Sequence, residues 1–117
     1  DKVVAVIGGG EPSLKILKER GVGGRCAHTA LQALKRIGKN EVFLAFASDG
    51  CDNSDFAGAI TDSATVEHAR ERTLSIEDAL ARFDSYTFFK QTGDFLMTGP
   101  TGSNVSDLFI LLNKQET

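Results

Sequence analysis

Three continuous apolar runs divide the chain: residues 3–7 (VVAVI), 42–47 (VFLAFA) and 108–112 (LFILL). Each has the length of a strand and none alternates polar with apolar, which predicts strands covered on both faces. Between the first two, Ala27, Ala30, Leu31, Leu34 and Ile37 share one helical face. His28, Gln32, Lys35 and Arg36 fall on the other, so His28 is read as solvated. Gly38 is the expected stop of that helix. Further on, Asp62 or Ser63 caps a helix running to Arg72. Ser75 and Asp78 stand at capping-box spacing, where two side chains satisfy two orphan backbone N–H groups, and open a second helix. Residues 86–92 add a short third. Residues 13–18 fit a strand, with Leu14 and Ile16 on one face, as well as they fit a helix start after Pro12. Strands separated by helices predict an α/β fold. The expected form is one layered domain over residues 1–117, with a mixed, largely buried sheet, partly parallel, covered by helices.

Composition narrows the class. A chain of 117 residues suits one domain and can bury a core without disulfide or metal staples. Net charge is -3 and Lys and Arg are scattered, whereas nucleic-acid and membrane surfaces need a concentrated basic patch. Neither partner is expected. No apolar run approaches the roughly 20 residues of a membrane span, and the chain opens on a strand-like run without a signal-peptide pattern. A cytoplasmic location is the expectation. Cys26 and Cys51 form no CxxC pair, so they are read as free, buried or half-buried thiols rather than zinc ligands or a disulfide.

Four glycine-rich stretches hold the candidate chemistry. IGGGEPS (7–13) follows a strand and nearly spells a dinucleotide fingerprint, but Ser13 stands where the third glycine belongs. The acidic residue expected about 20 positions later is absent, so a tight strand-to-strand turn is the preferred reading. GVGGRC (21–26) sits at a helix start; backbone N–H groups of Gly23 and Gly24 beside Arg25 would make an anion pocket, or simply a loop with a solvated arginine. SDGCDNSDFAG (48–58) leaves the end of a strand, where open α/β sheets bind ligands. Its Asp49, Asp52 and Asp55 are enough to hold Mg²⁺ with waters and a phosphate, Asp49 and Asp52 being the candidate ligands. The alternative makes Asp52 and Asp55 turn formers and helix caps. TGPTGSN (98–104) offers Thr98, Gly99, Thr101, Gly102, Ser103 and Asn104, small donors that suit a nest around phosphate or carboxylate. It lacks the lysine of a Walker loop.

The order GGE, GGR, SDG-x-D with D-x-AGA, DSYTFF (84–89) and TGPTGSNV-x-DL (98–108) resembles the MOFRL domain, the C-terminal part of the glycerate 2-kinase family. The resemblance implies ATP- and Mg-dependent phosphorylation of D-glycerate to 2-phosphoglycerate; similar sequences also bear the label hydroxypyruvate reductase. It further implies a larger N-terminal kinase-type domain across a cleft, supplying a lysine among other groups. This chain is too short to be that whole enzyme. On the motif's terms Arg25 and Asp49 are the catalytic candidates. Gly23, Gly24 and the 98–104 loop, with Glu11 in the GGE turn, would bind substrate or phosphate. Two departures stand out. Cys26, Ala27 and His28 replace the family's Asn-Gln-Glu, and Pro12-Ser13 replaces its Thr-Thr, removing a backbone donor. The expected partners are a small acid or phosphate ligand and either a kinase-type domain or a second copy. A docking or oligomerisation module is the alternative function, with Phe83, Tyr86, Phe88 and Phe89 as core or interface packing. An oxidoreductase resting on the near-fingerprint is a third reading. His68, near Glu67 and Arg70, is read as surface.

Overall fold

The computed structural model describes residues 2–12 and 21–115. Ser13 and the stretch through residue 18, read above as either strand or helix, lie outside them. The elements in chain order are β1 (Lys2–Gly10), α1 (Arg25–Ala33), β2 (Glu41–Ala47), β3 (Gly58–Thr61), α2 (Ser63–Glu71), α3 (Ile76–Ala81), α4 (Ser85–Thr92), β4 (Phe95–Leu96) and β5 (Asp107–Gln115). The α/β class stands, with one sheet in the order β1-β5-β2-β3-β4.

Every described pairing is antiparallel, not mixed. The strand–helix–strand unit β1–α1–β2 does send its two strands in the same direction, as its pattern predicts. The last strand then inserts between them: Ala5 pairs with Leu112, and Leu112 with Val42. A parallel couple becomes two antiparallel ones.

The helix boundaries follow local chemistry. Asp62 caps α2 in a reciprocal box, its side chain accepting from Thr65 N while Thr65 Oγ1 accepts from Asp62 N, each at 3.2 Å. Such a cap is worth about 1 kcal/mol. Ser75 Oγ accepts from Asp78 N at 3.1 Å and starts α3. At α4 the chain stops on Gly93, whose φ of 85° only glycine adopts without strain. Helix α1 ends sooner than Gly38: the bonds Lys35 N to Gln32 O and Arg36 N to Ala33 O tighten the chain to i→i−3 after Ala33.

Residues directly opposite in an antiparallel ladder share a face. Phe43, Ala45 and Ala47 of β2 thus stand with Phe109 of β5 and Ala59 and Thr61 of β3. On this face lies the core, built with Cys26, Ala30, Leu31 and Leu34 of the α1 region and Phe88 and Phe89 of α4. Phe83 and the aromatics of the DSYTFF string are therefore packing groups: Phe88 and Phe89 are buried, and Phe83 and Tyr86 half-buried.

Two expectations fail here. His28 is 5% exposed, its ring stacked 4.9 Å from that of Phe83. Phe83, at the turn between α3 and α4, covers a flank that the helical period alone assigns to water. The apolar run of β1 is not covered: Val3 is 62% and Ile7 69% exposed, and Val4 and Val6 on the opposite face are exposed too. Helix α1 packs on β2 and β3, so among the described residues the helix layer stops short of β1.

Candidate functional site

All four glycine-rich stretches meet at one end of the sheet. Asp107, first residue of β5, lies between Ala47, last of β2, and Gly10, last of β1. The loops leaving β2 and approaching β5 therefore start from neighbouring backbones, and the GGE stretch, expected as a tight turn, instead ends β1 beside them.

Asp107 is 2% exposed and accepts from Arg25 Nε at 3.0 Å and Nη2 at 3.3 Å. This fork fixes the guanidinium across 82 residues of sequence. The Arg25 side chain stays 44% exposed, so the cation is held from below and open above. The hydrogen bond to Asp107 raises its pKa beyond the usual arginine value, against a smaller effect of burial, with further support from the charges of Asp107 and Glu11. Glu11 itself is exposed.

Arg25 is also the first residue of α1, whose cap, Gly24, has no side chain to offer. The missing cap comes from the loop after β2. Asp52 Oδ1 accepts from Cys26 N at 2.9 Å and Oδ2 from Ala27 N at 2.8 Å. The helix dipole and two orphan donors thus receive an internal carboxylate. Gly24 permits this approach, since a Cβ there would run into the Asp52 carbonyl. Asp52 is 5% exposed; burial pushes its pKa up and the two N–H bonds pull it back, leaving it raised.

The same loop is pinned at its far side. Phe56 stacks between Tyr86 at 4.3 Å and Phe95 at 4.2 Å. Asp55 hydrogen-bonds the Tyr86 phenol, which raises the phenol's pKa. Asp49 remains exposed at the loop's tip, its Oδ1 accepting from Cys51 N at 2.9 Å in an Asx turn.

The 98–106 loop is laced to this one. Val105 N donates to Ser48 Oγ at 2.8 Å, Ser48 N to Ser106 O at 3.2 Å, and Thr101 N to Asp49 O at 3.2 Å. Thr101 Oγ1 donates to Ser48 O. Gly50, with φ of 88°, faces the Gly99 carbonyl so closely that no side chain fits. Beyond these ties Gly102, Ser103 and Asn104 are exposed, as Thr98 is.

The arrangement therefore gathers Arg25, Glu11, Asp49 and the 98–104 loop at one rim. Gly23 and Gly24 are buried beneath it. It separates the two proposed metal ligands by role: Asp49 presents a carboxylate to solvent, while both oxygens of Asp52 are spent on α1. Among the described residues no three His, Cys, Asp or Glu groups gather as a metal site. Cys26, Ala27 and His28 are all buried, and burial pushes the Cys26 thiol far up, with Asp52 and Asp107 adding to it. Asp107 was missed from sequence although it ends the TGPTGSNV-x-D string. The dinucleotide reading loses its context, because Gly8, Gly9 and Gly10 lie inside β1, paired antiparallel with β5, and not in a turn leading to a helix.

Comparison with known proteins adds lineage to this geometry. A family model described as "MOFRL family" matches residues 4–107. Glycerate 2-kinase from Pyrococcus horikoshii is 37% identical over 111 residues, 93% of this chain and 25% of that protein. D-glycerate 2-kinase from Thermotoga maritima is 39% identical over 112 residues, 93% of this chain and 27% of that one. A crystal structure of a Pyrococcus horikoshii protein superposes with a TM-score of 0.89 at 34% identity, covering 96% of this chain and 26% of the other. This chain spans about a quarter of the length of the relatives it matches.

Proposed function

We propose that this chain, which belongs to the MOFRL family, forms one wall of a cleft that binds the phosphate and carboxylate groups of a glycerate-kinase reaction, and that it does not turn substrate over alone. The observation that carries the reading is the Arg25–Asp107 fork: a cation fixed by a buried carboxylate, left half open, where β1 and β2 end and β5 begins. A forked guanidinium suits a planar carboxylate or a phosphate. The exposed backbone around Gly102, Ser103 and Asn104 would wrap the same anion. The helix terminus does not bind it directly, because Asp52 already occupies its donors.

The glycerate kinases that this chain resembles imply ATP and Mg²⁺. Magnesium commonly rests on one or two carboxylates plus substrate phosphates. Asp49 fits that part; Asp52 does not, since releasing either oxygen strands a buried N–H. Bound Mg²⁺ would neutralise phosphate charge, while Arg25 orients the anion and Asp107 and Asp52 hold the rim in place. Phosphoryl transfer rests on positioning and charge stabilisation from every side, so one wall without its opposite gives binding without catalysis.

An amide NMR titration with 2-phosphoglycerate, D-glycerate and Mg-ATP tests this. Shifts confined to Arg25, residues 48–52 and 98–104, and abolished in Arg25→Gln, are expected. Absence of shifts at millimolar ligand overturns the binding wall, and ATP-dependent phosphorylation of glycerate by the pure chain overturns its incompleteness.

A further inference from the structure

The ladder register sorts the strands into two faces, and only one meets the helices. On the other stand Val3 and Ile7 of β1, Ile110 and Leu112 of β5, and Leu44 and Phe46 of β2. The outward positions of β3 and β4 extend it with aliphatic residues. None of these side chains belongs to the core cluster or packs against it. Lys114, at one margin, is the sole ionisable residue among the described strand positions on this face. A sheet that is apolar on both sides requires a layer on both, and here the described residues provide one.

We infer that the uncovered face seats a second copy of this chain, forming a two-fold, sheet-on-sheet dimer. The size is right. Strand spacing and rise give β1, β5 and β2 a plan of about 430 Å², and β3 and β4 bring it to roughly 500 Å². That plan lies near the ~600 Å² per partner at the lower end of specific interfaces. The chemistry is also right for self-association. A flat apolar face meets its own image without charge repulsion, and two twisted sheets pack aligned at about −30°. The operation is isologous and closes at two copies. Charge is kept apart from it, because among the described residues nearly all ionisable groups lie outside this face. The choice of this occupant over the rest of a longer kinase rests on the proposed reading of the rim, which sets the opposite cleft wall beyond the strand ends facing Arg25 and not against the broad side of the sheet.

Sedimentation velocity of the chain from about 1 to 200 µM is the test. Twice the monomer mass at the upper concentrations is expected. Ile110→Lys, at the centre of the face, should raise the dissociation constant at least a hundredfold. Ile7→Lys, at a 69% exposed position that tolerates a lysine in the folded monomer, should raise it at least tenfold. Val4→Lys, on the opposite face of β1, should leave it unchanged. A wild-type monomer throughout the range overturns the inference. So does a dimer indifferent to both face variants, or open-ended association blocked by Val4→Lys, which would identify the β1 edge as the contact.

Discussion

Asp52 supplies the sharpest test of how this rim is built. Replacing it with alanine strands the N–H groups of Cys26 and Ala27, both at buried residues, at the start of α1. Each orphaned buried donor costs about 1–3 kcal/mol. Removing a desolvated charge returns part of that, so a net loss of about 2–4 kcal/mol is expected. Unfolding entropy of about 2.1 cal/mol/K per residue makes each kcal/mol worth roughly 4 °C in a domain of this length. Asp52→Ala should therefore melt roughly 8–16 °C below wild type by circular dichroism. Asp52→Asn keeps one acceptor and should lose about half as much. The pH dependence has a definite sign. Because the folded pKa is raised, the native state holds a proton that the unfolded chain has released. Asp52's contribution is thus greatest below its unfolded value of about 4 and declines as pH rises through the folded value. The gap between wild type and Asp52→Asn should narrow from pH 4 to pH 7. A drop under about 3 °C for Asp52→Ala, against the ~4 °C per kcal/mol above, would show that α1 is not capped this way. Asp52 would then return as a metal ligand.

Asp107→Asn should cost roughly 1–2 kcal/mol in urea unfolding, a modest figure because Arg25 is half exposed and water replaces part of the pair; it should also weaken the 2-phosphoglycerate response, and an unchanged response would detach Arg25's positioning from binding. His68 Nδ1 lies 3.0 Å from Asp94 Oδ2, and that hydrogen bond raises its pKa, so the pair stabilises the fold below about pH 6.5 and loses that support as pH rises through the folded value. Histidine C–H shifts in Asp94→Asn should titrate at lower pH than in wild type; an unmoved midpoint refutes the pairing. Native protein should expose one fast-reacting thiol, the exposed Cys51, while the buried Cys26 reacts only on unfolding; rapid loss of two thiols would place Cys26 outside the core.

What the sequence reveals of this protein is its local chemistry. Asp62 and Ser75 mark helix starts because a cap is a transaction among residues three apart. The three long strands show themselves because an apolar run needs no partner to be recognised. Strand β4, two residues long, and β3, four, carry too little pattern to read. Pairing is another matter: nothing in residues 108–112 says that they will insert between β1 and β2, and that insertion alone turns a parallel couple antiparallel. The same distance hides the site. Asp49, Asp52 and Asp55 look interchangeable in a loop, yet the fold gives one to solvent, one to a helix 25 residues upstream and one to a tyrosine. Asp107 reads as an ordinary residue before a strand until Arg25 arrives from 82 positions away. Two carboxylates thus position the rim from beneath, leaving Arg25, Glu11 and Asp49 as its outward charges. This division explains how α1 keeps its hold on the rim whatever side chains stand at Cys26, Ala27 and His28. Backbone N–H groups, which any residue supplies, anchor α1 to Asp52, so the side chains at those positions are released to the core. With Cys26, Ala27 and His28 buried, the first turn of α1 beyond Arg25 turns no side chain outward. On the proposed reading, binding is therefore carried by Arg25 and the 98–104 loop.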